Sequence, residues 1–192
     1  WSPDGAKIVA GGYGTITIWD TQTGELIDQI QTINDGRVTD VYFSPDGEFI
    51  LTSMINNNIK LGPLGRSIYE SERKGSDWNE PNLLQNNVNS EFWETTANMN
   101  LHKNILFFVS DRDGGYGGKD IWRSEITQKG FLPAENLGDT INTKYNEMSP
   151  FVHPDNLTFY FASDGQTGFG DYDLFVSRRI STDKKWGLPN NM

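Results

Sequence analysis

The sequence predicts an all-β fold, a β-propeller of four-stranded antiparallel blades, with about four blades in its 192 residues. Three observations support this prediction. A pentapeptide recurs after 42 residues in the first half, a longer pattern recurs after 53 residues in the second half, and short strand-like segments bounded by turn residues fill the chain. Repeats of roughly 40 to 50 residues are typical of propeller blades.

The first repeat combines a turn with a strand. Trp1-Ser-Pro-Asp-Gly5 recurs as Phe43-Ser-Pro-Asp-Gly47, and each copy runs into an apolar stretch, residues 8–10 or 49–51. Pro-Asp-Gly favours a tight turn, and the β-branched and aromatic residues that follow favour a strand. We therefore expect one blade to begin near each copy.

The second repeat is longer and keeps one offset throughout. Residues 105–111 match residues 158–164, and the Gly-Tyr-Gly at 115–117 matches the Gly-Phe-Gly at 168–170. The same offset relates two pairs of identical polar residues, Asn89 with Asn142 and Glu94 with Glu147. Agreement over about 50 residues indicates two copies of one structural unit.

A propeller blade needs neighbours, because the apolar residues of its inner strands pack against adjacent blades. An open arc of blades would also leave strand edges unpaired. We therefore expect one continuous propeller that is larger than this chain, with further blades before Trp1 or after Met192.

The charge and hydropathy exclude two classes of partner. The formal charge is −10, from 16 basic and 26 acidic residues. Such a chain repels phosphate backbones, so we expect no nucleic acid partner. The longest apolar run, Ile105–Val109, has five residues, whereas a membrane-spanning helix needs about 20. We expect no transmembrane segment.

Residues 1–67 resemble WD-repeat blades. The resemblance is carried by Ser2-Pro-Asp-Gly5, by Gly14-Thr-Ile-Thr-Ile-Trp-Asp20 and by Thr23-Gly-Glu25. It implies propeller blades.

Residues 68–192 are similar to the TolB-like propeller repeats of Bacteroidota envelope proteins. The similarity is carried by residues 110–122, 136–143 and 147–155. In that family the propeller is often joined to an OmpA-like peptidoglycan-binding domain, and some members belong to the type IX secretion and gliding machinery. The resemblance implies a periplasmic or outer-membrane-associated protein, with the export signal or anchor and any peptidoglycan-binding domain outside this chain.

The glycine-rich loops of the second repeat are the predicted partner-binding site. Propellers commonly bind through loops at the ends of their strands. These two loops carry large or charged side chains that a turn does not require. The candidate residues are Tyr116, Lys119, Phe169, Asp171 and Tyr172.

The same loops hold many carboxylates, which are the ligands that Ca²⁺ prefers. The candidates are Asp111, Asp113, Asp120, Asp164, Asp171 and Asp173. Glycines that supply positive φ and aspartates that form Asx turns explain the same pattern. We therefore expect no cofactor, with Ca²⁺ as the alternative.

The sequence predicts a non-catalytic binding scaffold rather than an enzyme. His102 and His153 do not occupy equivalent repeat positions, and the repetition of Glu94 as Glu147 favours a structural role for both. No grouping of a nucleophile with a base is apparent. The alternative is the propeller domain of a hydrolase, either a peptidase gating domain or a metal-dependent lactonase-like enzyme.

Overall fold

A computed structural model of the chain describes residues 1–32, 36–55, 65–85 and 87–192. Within these ranges the regular elements are all β-strands, which confirms the all-β fold class. The strands are β1 (Lys7–Gly11), β2 (Thr15–Asp20), β3 (Leu26–Gln31), β4 (Arg37–Phe43), β5 (Phe49–Ile55), β6 (Arg66–Lys74), β7 (Asp77–Trp78), β8 (Asn82–Leu83), β9 (Glu94–Met99), β10 (Ile105–Ser110), β11 (Asp120–Thr127), β12 (Gly130–Phe131), β13 (Glu135–Asn136), β14 (Glu147–Val152), β15 (Thr158–Ser163), β16 (Asp173–Arg178) and β17 (Asn190–Asn191). None of the described segments forms a helix of the length and apolarity needed to cross a bilayer.

The chain divides into two compact units, Trp1–Ala97 and Asn98–Met192. Unit 1 contains a three-stranded sheet of order β1-β2-β3 and a second sheet of order β4-β5-β6-β7, in which β8 also pairs with β6. The predicted change from WD-repeat-like to TolB-like blades, between residues 67 and 68, falls within β6. As a division between two kinds of repeat it stays a prediction.

Unit 2 contains the second repeat. Its first sheet has the order β12-β11-β10-β9, and β13 also pairs with β11. The unit boundary falls within β9, so only the last two residues of that strand belong to unit 2. Its second sheet has the order β14-β15-β16-β17. Ile105 and Thr158 begin β10 and β15, and Asp120 and Asp173 begin β11 and β16. The strands therefore follow the 53-residue offset that the sequence predicted.

The recurring Ser-Pro-Asp-Gly segments form one type of turn. The Oγ atoms of Ser2 and Ser44 each donate to the carboxylate two residues on, at 2.6 Å in both cases. Each Oγ also accepts from the backbone nitrogen five residues on, at 2.8 and 2.9 Å. The glycine that follows each aspartate has φ of 71° or 75°, which other residues rarely adopt. The local sequence therefore fixes the start of β1 and of β5.

The core of unit 1 is aliphatic. Ile16 and Ile18 of β2 are completely buried, whereas their neighbours along the strand are only partly so, as expected from the two-residue period of a strand. They pack with Ile50, Met54 and other buried residues of β3 to β6. Each such side chain contributes about 1.5 to 3 kcal/mol by leaving water.

The core of unit 2 is aromatic. Phe107 of β10 lies 5.3 Å from Phe159 of β15, measured between ring centroids. Phe159 also contacts Trp186 at 5.1 Å, and Phe161 stacks on Phe175 at 5.8 Å. Aromatic pairs at these separations stabilise a core by about 0.5 to 1.5 kcal/mol beyond the area they bury. This row of rings joins the two sheets of the unit.

A buried asparagine secures the outer part of a blade in each unit. Asn142 accepts from the backbone nitrogen of Ile121 and donates to its carbonyl oxygen, both at 2.8 Å. Asn89 makes the same two bonds with Ile68, also at 2.8 Å. The amide thus acts as the missing strand residue beside β11 and β6, where the paired strands β13 and β8 have only two residues each.

Candidate partner-binding site

Two equivalent loops in unit 2 carry the predicted site. Loop A (residues 111–119) joins β10 to β11, and loop B (residues 164–172) joins β15 to β16. The carboxylate of Asp120 accepts from the backbone nitrogens of Tyr116 at 2.5 Å and Gly117 at 3.1 Å. Asp173 accepts in the same way from the nitrogen of Phe169 at 2.5 Å. Each loop is therefore folded around the first carboxylate of the strand that follows it.

This arrangement explains why two positions in the loops are occupied by glycine. A Cβ atom on Gly115 would lie 2.7 Å from Oδ2 of Asp120, and one on Gly168 would overlap Oδ2 of Asp173. These glycines allow the backbone to approach a carboxylate, and neither has a positive φ. The turn explanation proposed from the sequence applies to Gly114 instead, which has φ of 89°.

Both loops contact one short segment before β14, which we name segment C (residues 143–146). The backbone nitrogen of Gly118 donates to the carbonyl oxygen of Tyr145 at 2.7 Å. The carboxylate of Asp164 accepts from the backbone nitrogen of Asn146 at 2.7 Å and from its side-chain amide at 2.9 Å. Segment C therefore holds loop A and loop B on a common support.

Four aromatic residues on these three segments are exposed to solvent, and we name them the aromatic platform. The exposed fractions are 52% for Tyr116, 48% for Tyr145, 93% for Phe169 and 48% for Tyr172. The backbone of loop A contacts Tyr145, and a Cβ on Gly165 would lie 2.9 Å from the Cβ of Tyr145. Exposed aromatic rings of this kind are enriched where proteins bind one another.

Three of these four residues were predicted from the sequence, whereas Tyr145 was not. A signal for it was present, since the 53-residue offset relates Tyr145 to another aromatic residue, Phe92. It was missed because segment C contains no glycine-rich pattern.

Lys119 and Asp171 lie in the loops but differ from the aromatic candidates. Lys119 is half-buried, and its carbonyl oxygen accepts from the backbone nitrogen of Glu147 at 2.7 Å. Its backbone therefore helps to join loop A to β14. Asp171 is exposed and has φ of 50°. A direct role for either side chain in binding stays a prediction.

The aspartates considered as metal ligands are partly engaged with nitrogen donors. Asp120 is buried and accepts a third bond from the amide of Asn136 at 2.7 Å, while Asp164 and Asp173 accept from backbone nitrogens. Asp111, Asp113 and Asp171 are exposed. Over the described ranges, no three acidic or histidine side chains come together as a metal site. The Ca²⁺ alternative stays a prediction.

Glu147 lies completely buried beneath segment C. Its carboxylate accepts from the backbone nitrogen and the hydroxyl of Thr143, both at 2.8 Å, and from the hydroxyl of Ser163 at 2.7 Å. Burial raises the pKa of Glu147 above its usual value, although these hydrogen bonds oppose the rise. Glu94 accepts from the nitrogen and hydroxyl of Ser90 at the equivalent positions. Each glutamate therefore holds the segment that precedes its own strand.

The charge of this buried acid acts on one residue of the platform, Tyr172. Partial burial raises the pKa of its phenol, and the negative charges of Asp164 and Glu147 raise it further. The phenol therefore stays protonated at neutral pH and keeps an O–H group to donate.

Comparisons with known proteins agree with the repeat pattern of the first half. The family model described as eukaryotic translation initiation factor eIF2A matches residues 1–80, which is less than half of the chain. A WD repeat-containing protein of Synechocystis sp. is 46% identical over 59 residues, covering 29% of this chain and 16% of that protein.

Solved structures extend the likeness to the whole chain. TolB from Acinetobacter baumannii has a TM-score of 0.67 and 19% identity, covering 100% of this chain and 41% of TolB. The tricorn protease has a TM-score of 0.63 and 9% identity, covering 99% of this chain and 21% of the protease. The chain spans less than half of either protein, and at these identities the likeness concerns the fold. This chain therefore has the β-propeller fold of TolB-like and WD-repeat proteins.

Proposed function

We propose that the chain is a non-catalytic scaffold that binds a protein partner through the aromatic platform. The observation that carries the proposal is the exposure of Tyr116, Tyr145, Phe169 and Tyr172 on segments fixed by hydrogen bonds. Aromatic side chains contribute much of the binding energy in protein interfaces.

The anchoring of the loops supports this function. A mobile loop loses conformational entropy when it binds, which lowers the affinity. Here the backbone next to Tyr116 and Phe169 is already held by Asp120 and Asp173. The backbone that carries these rings thus needs little ordering when a partner binds.

We further propose that the protein works in the bacterial cell envelope, in the periplasm or associated with the outer membrane. The support is the similarity of residues 110–122 and 136–143 to envelope propellers. A link to an OmpA-like, peptidoglycan-binding domain and to type IX secretion is part of the same proposal. An antibody blot of fractionated native cells tests it, because the protein should appear in the envelope fraction. Recovery in the cytoplasmic fraction alone would contradict it.

A partner search with matched variants tests the binding function. We expect the immobilised wild-type chain to retain at least one envelope protein that the double variant Tyr116→Ala/Phe169→Ala does not retain. Ile180→Ala is the control, because Ile180 is 88% exposed in the same unit but lies outside the aromatic platform. The retained protein is then purified and its affinity for all three chains is measured.

The result has two informative alternatives. Equal affinity of the double variant and the wild type would show that the platform is not the binding surface. Cleavage or other chemical conversion of the retained molecule by the wild-type chain would favour the hydrolase alternative over a non-catalytic scaffold.

A further inference from the structure

A second surface of unit 2, apart from the aromatic platform, forms a cleft of about 450 Å³. One wall comes from β11 and β13, and the other from residues 179–186, which follow β16. Trp186 is among the lining residues and is 7% exposed. A cleft of this volume is within the range that small ligands or a few peptide side chains occupy.

The cleft is basic in an acidic protein. Its lining includes four cationic side chains, Arg123, Arg179, Lys184 and Lys185, and three acidic ones, although the chain carries a formal charge of −10. Two of the cations are already paired, since Arg123 contacts Glu135 at 2.6 Å and Lys184 contacts a neighbouring aspartate at 3.0 Å. Arg179 and Lys185 form no ion pair with any residue in the described ranges.

Arg179 is held in a fixed position without a carboxylate. Its guanidinium lies 4.2 Å from the ring centroid of Trp186. Its Nε donates to the carbonyl oxygen of Asn156 at 2.9 Å, and its Nη1 donates to that of Thr182 at 3.0 Å. Burial lowers the pKa of Arg179 and the positive charge of Arg123 lowers it further, while the negative charge of Asp183 opposes both. An anion in the cleft would act in the same direction as Asp183.

We propose that this cleft binds a carboxylate of an acidic peptide segment. Nη2 of Arg179 keeps donors that these two carbonyl oxygens do not use, and Lys185 in the same lining supplies a second positive charge. The three acidic residues in the lining repel a singly charged carboxylate less than a doubly charged phosphate. Trp186 and Leu137 offer apolar contact to the methylene groups of an acidic side chain.

Fluorescence anisotropy with a labelled peptide of glutamates tests the proposal on the complete chain. We expect the peptide to bind, and Lys185→Glu to weaken binding by at least about tenfold, because it reverses an unpaired charge in the cleft. Lys129→Glu is the matched control. It changes the net charge by the same amount at an exposed residue in the turn between β11 and β12, outside the cleft.

Two further arms make the outcome decisive. Arg179→Lys keeps the charge but loses the remaining guanidinium donors, so we expect weaker peptide binding with an unchanged circular dichroism spectrum. The Tyr116→Ala/Phe169→Ala variant should bind the peptide as the wild type does, because neither residue lines the cleft. Equal weakening by Lys185→Glu and Lys129→Glu would overturn the proposal, as would binding of inorganic phosphate without binding of the peptide.

Discussion

The carboxylate of Asp120 lies 2.5 Å from the backbone nitrogen of Tyr116 and is 1% exposed. The first residue of β11 therefore fixes the conformation of the loop that precedes it. The same relationship joins Asp173 to Phe169 in the next blade. The backbone that carries the exposed rings of Tyr116 and Phe169 thus depends on two acids, the buried Asp120 and the half-buried Asp173.

Replacing Asp120 should loosen loop A and destabilise the blade. We expect Asp120→Ala to lower the free energy of unfolding by roughly 2 to 4 kcal/mol, because it removes the acceptor for two backbone nitrogens and one amide. Urea unfolding measures the change. Asp113→Ala, at an exposed position of the same loop, is the control and should change stability by less than about 0.5 kcal/mol. Similar losses for both variants would contradict this role.

Replacement of Gly117 even by alanine should destabilise the protein. A Cβ at this position would overlap the carbonyl oxygens of Thr143 and Tyr145 in segment C. We expect Gly117→Ala to cost about 1 to 3 kcal/mol in thermal or urea unfolding, because loop A must move away from its support. At Gly12 the nearest atom would be 3.7 Å away, so Gly12→Ala should be tolerated. A neutral Gly117→Ala would show that loop A and segment C are not tightly packed.

Glu147 should make stability depend on pH. Burial raises its pKa above the usual value of 4.5, so the folded protein binds more protons than the unfolded chain. Its contribution to stability is therefore greatest below about pH 4.5 and falls as the pH rises through the folded-state pKa. We expect the stability of the wild type relative to Glu147→Gln, measured by urea unfolding, to fall as the pH rises above about 4.5.

Glutamine suits this test because it can keep the contacts of Glu147. Its oxygen can accept from the backbone nitrogen of Thr143, and its amide can donate to the hydroxyls of Thr143 and Ser163, which rotate to accept. Glu91→Gln, at an exposed position, is the control for the loss of one carboxylate. A constant difference for Glu147→Gln would contradict the burial effect.

Most of what could be predicted about the structure follows from the 53-residue offset between the repeats. It placed the strands of unit 2 and the equivalence of the loops at Tyr116 and Phe169, because these features depend on local sequence. The structural role of Glu94 and Glu147 was also predictable from their repetition. The close approach of Gly115 to Asp120 was not, since a glycine that avoids a clash cannot be distinguished in sequence from one that adopts positive φ.

The cleft could not be predicted from the repeats. Two of its cations, Arg123 and Arg179, are 56 residues apart and do not occupy equivalent positions, so no pattern relates them. Their proximity arises from the packing of two outer blade regions. Trp186 packs on its own blade, where it contacts Phe159, and its contact with Arg179 joins two residues that no repeat position relates.

The bonds of Asn142 and Glu147 have a consequence for how such a chain can grow. Asn142 binds Ile121, and Glu147 binds Thr143 and Ser163, so each set closes within a span shorter than one repeat. A gene segment encoding one repeat therefore carries all the residues needed for these bonds when it is duplicated. The copy is stabilised from the moment it appears, without compensating substitutions elsewhere, while its exposed loop residues remain free to diverge toward new partners.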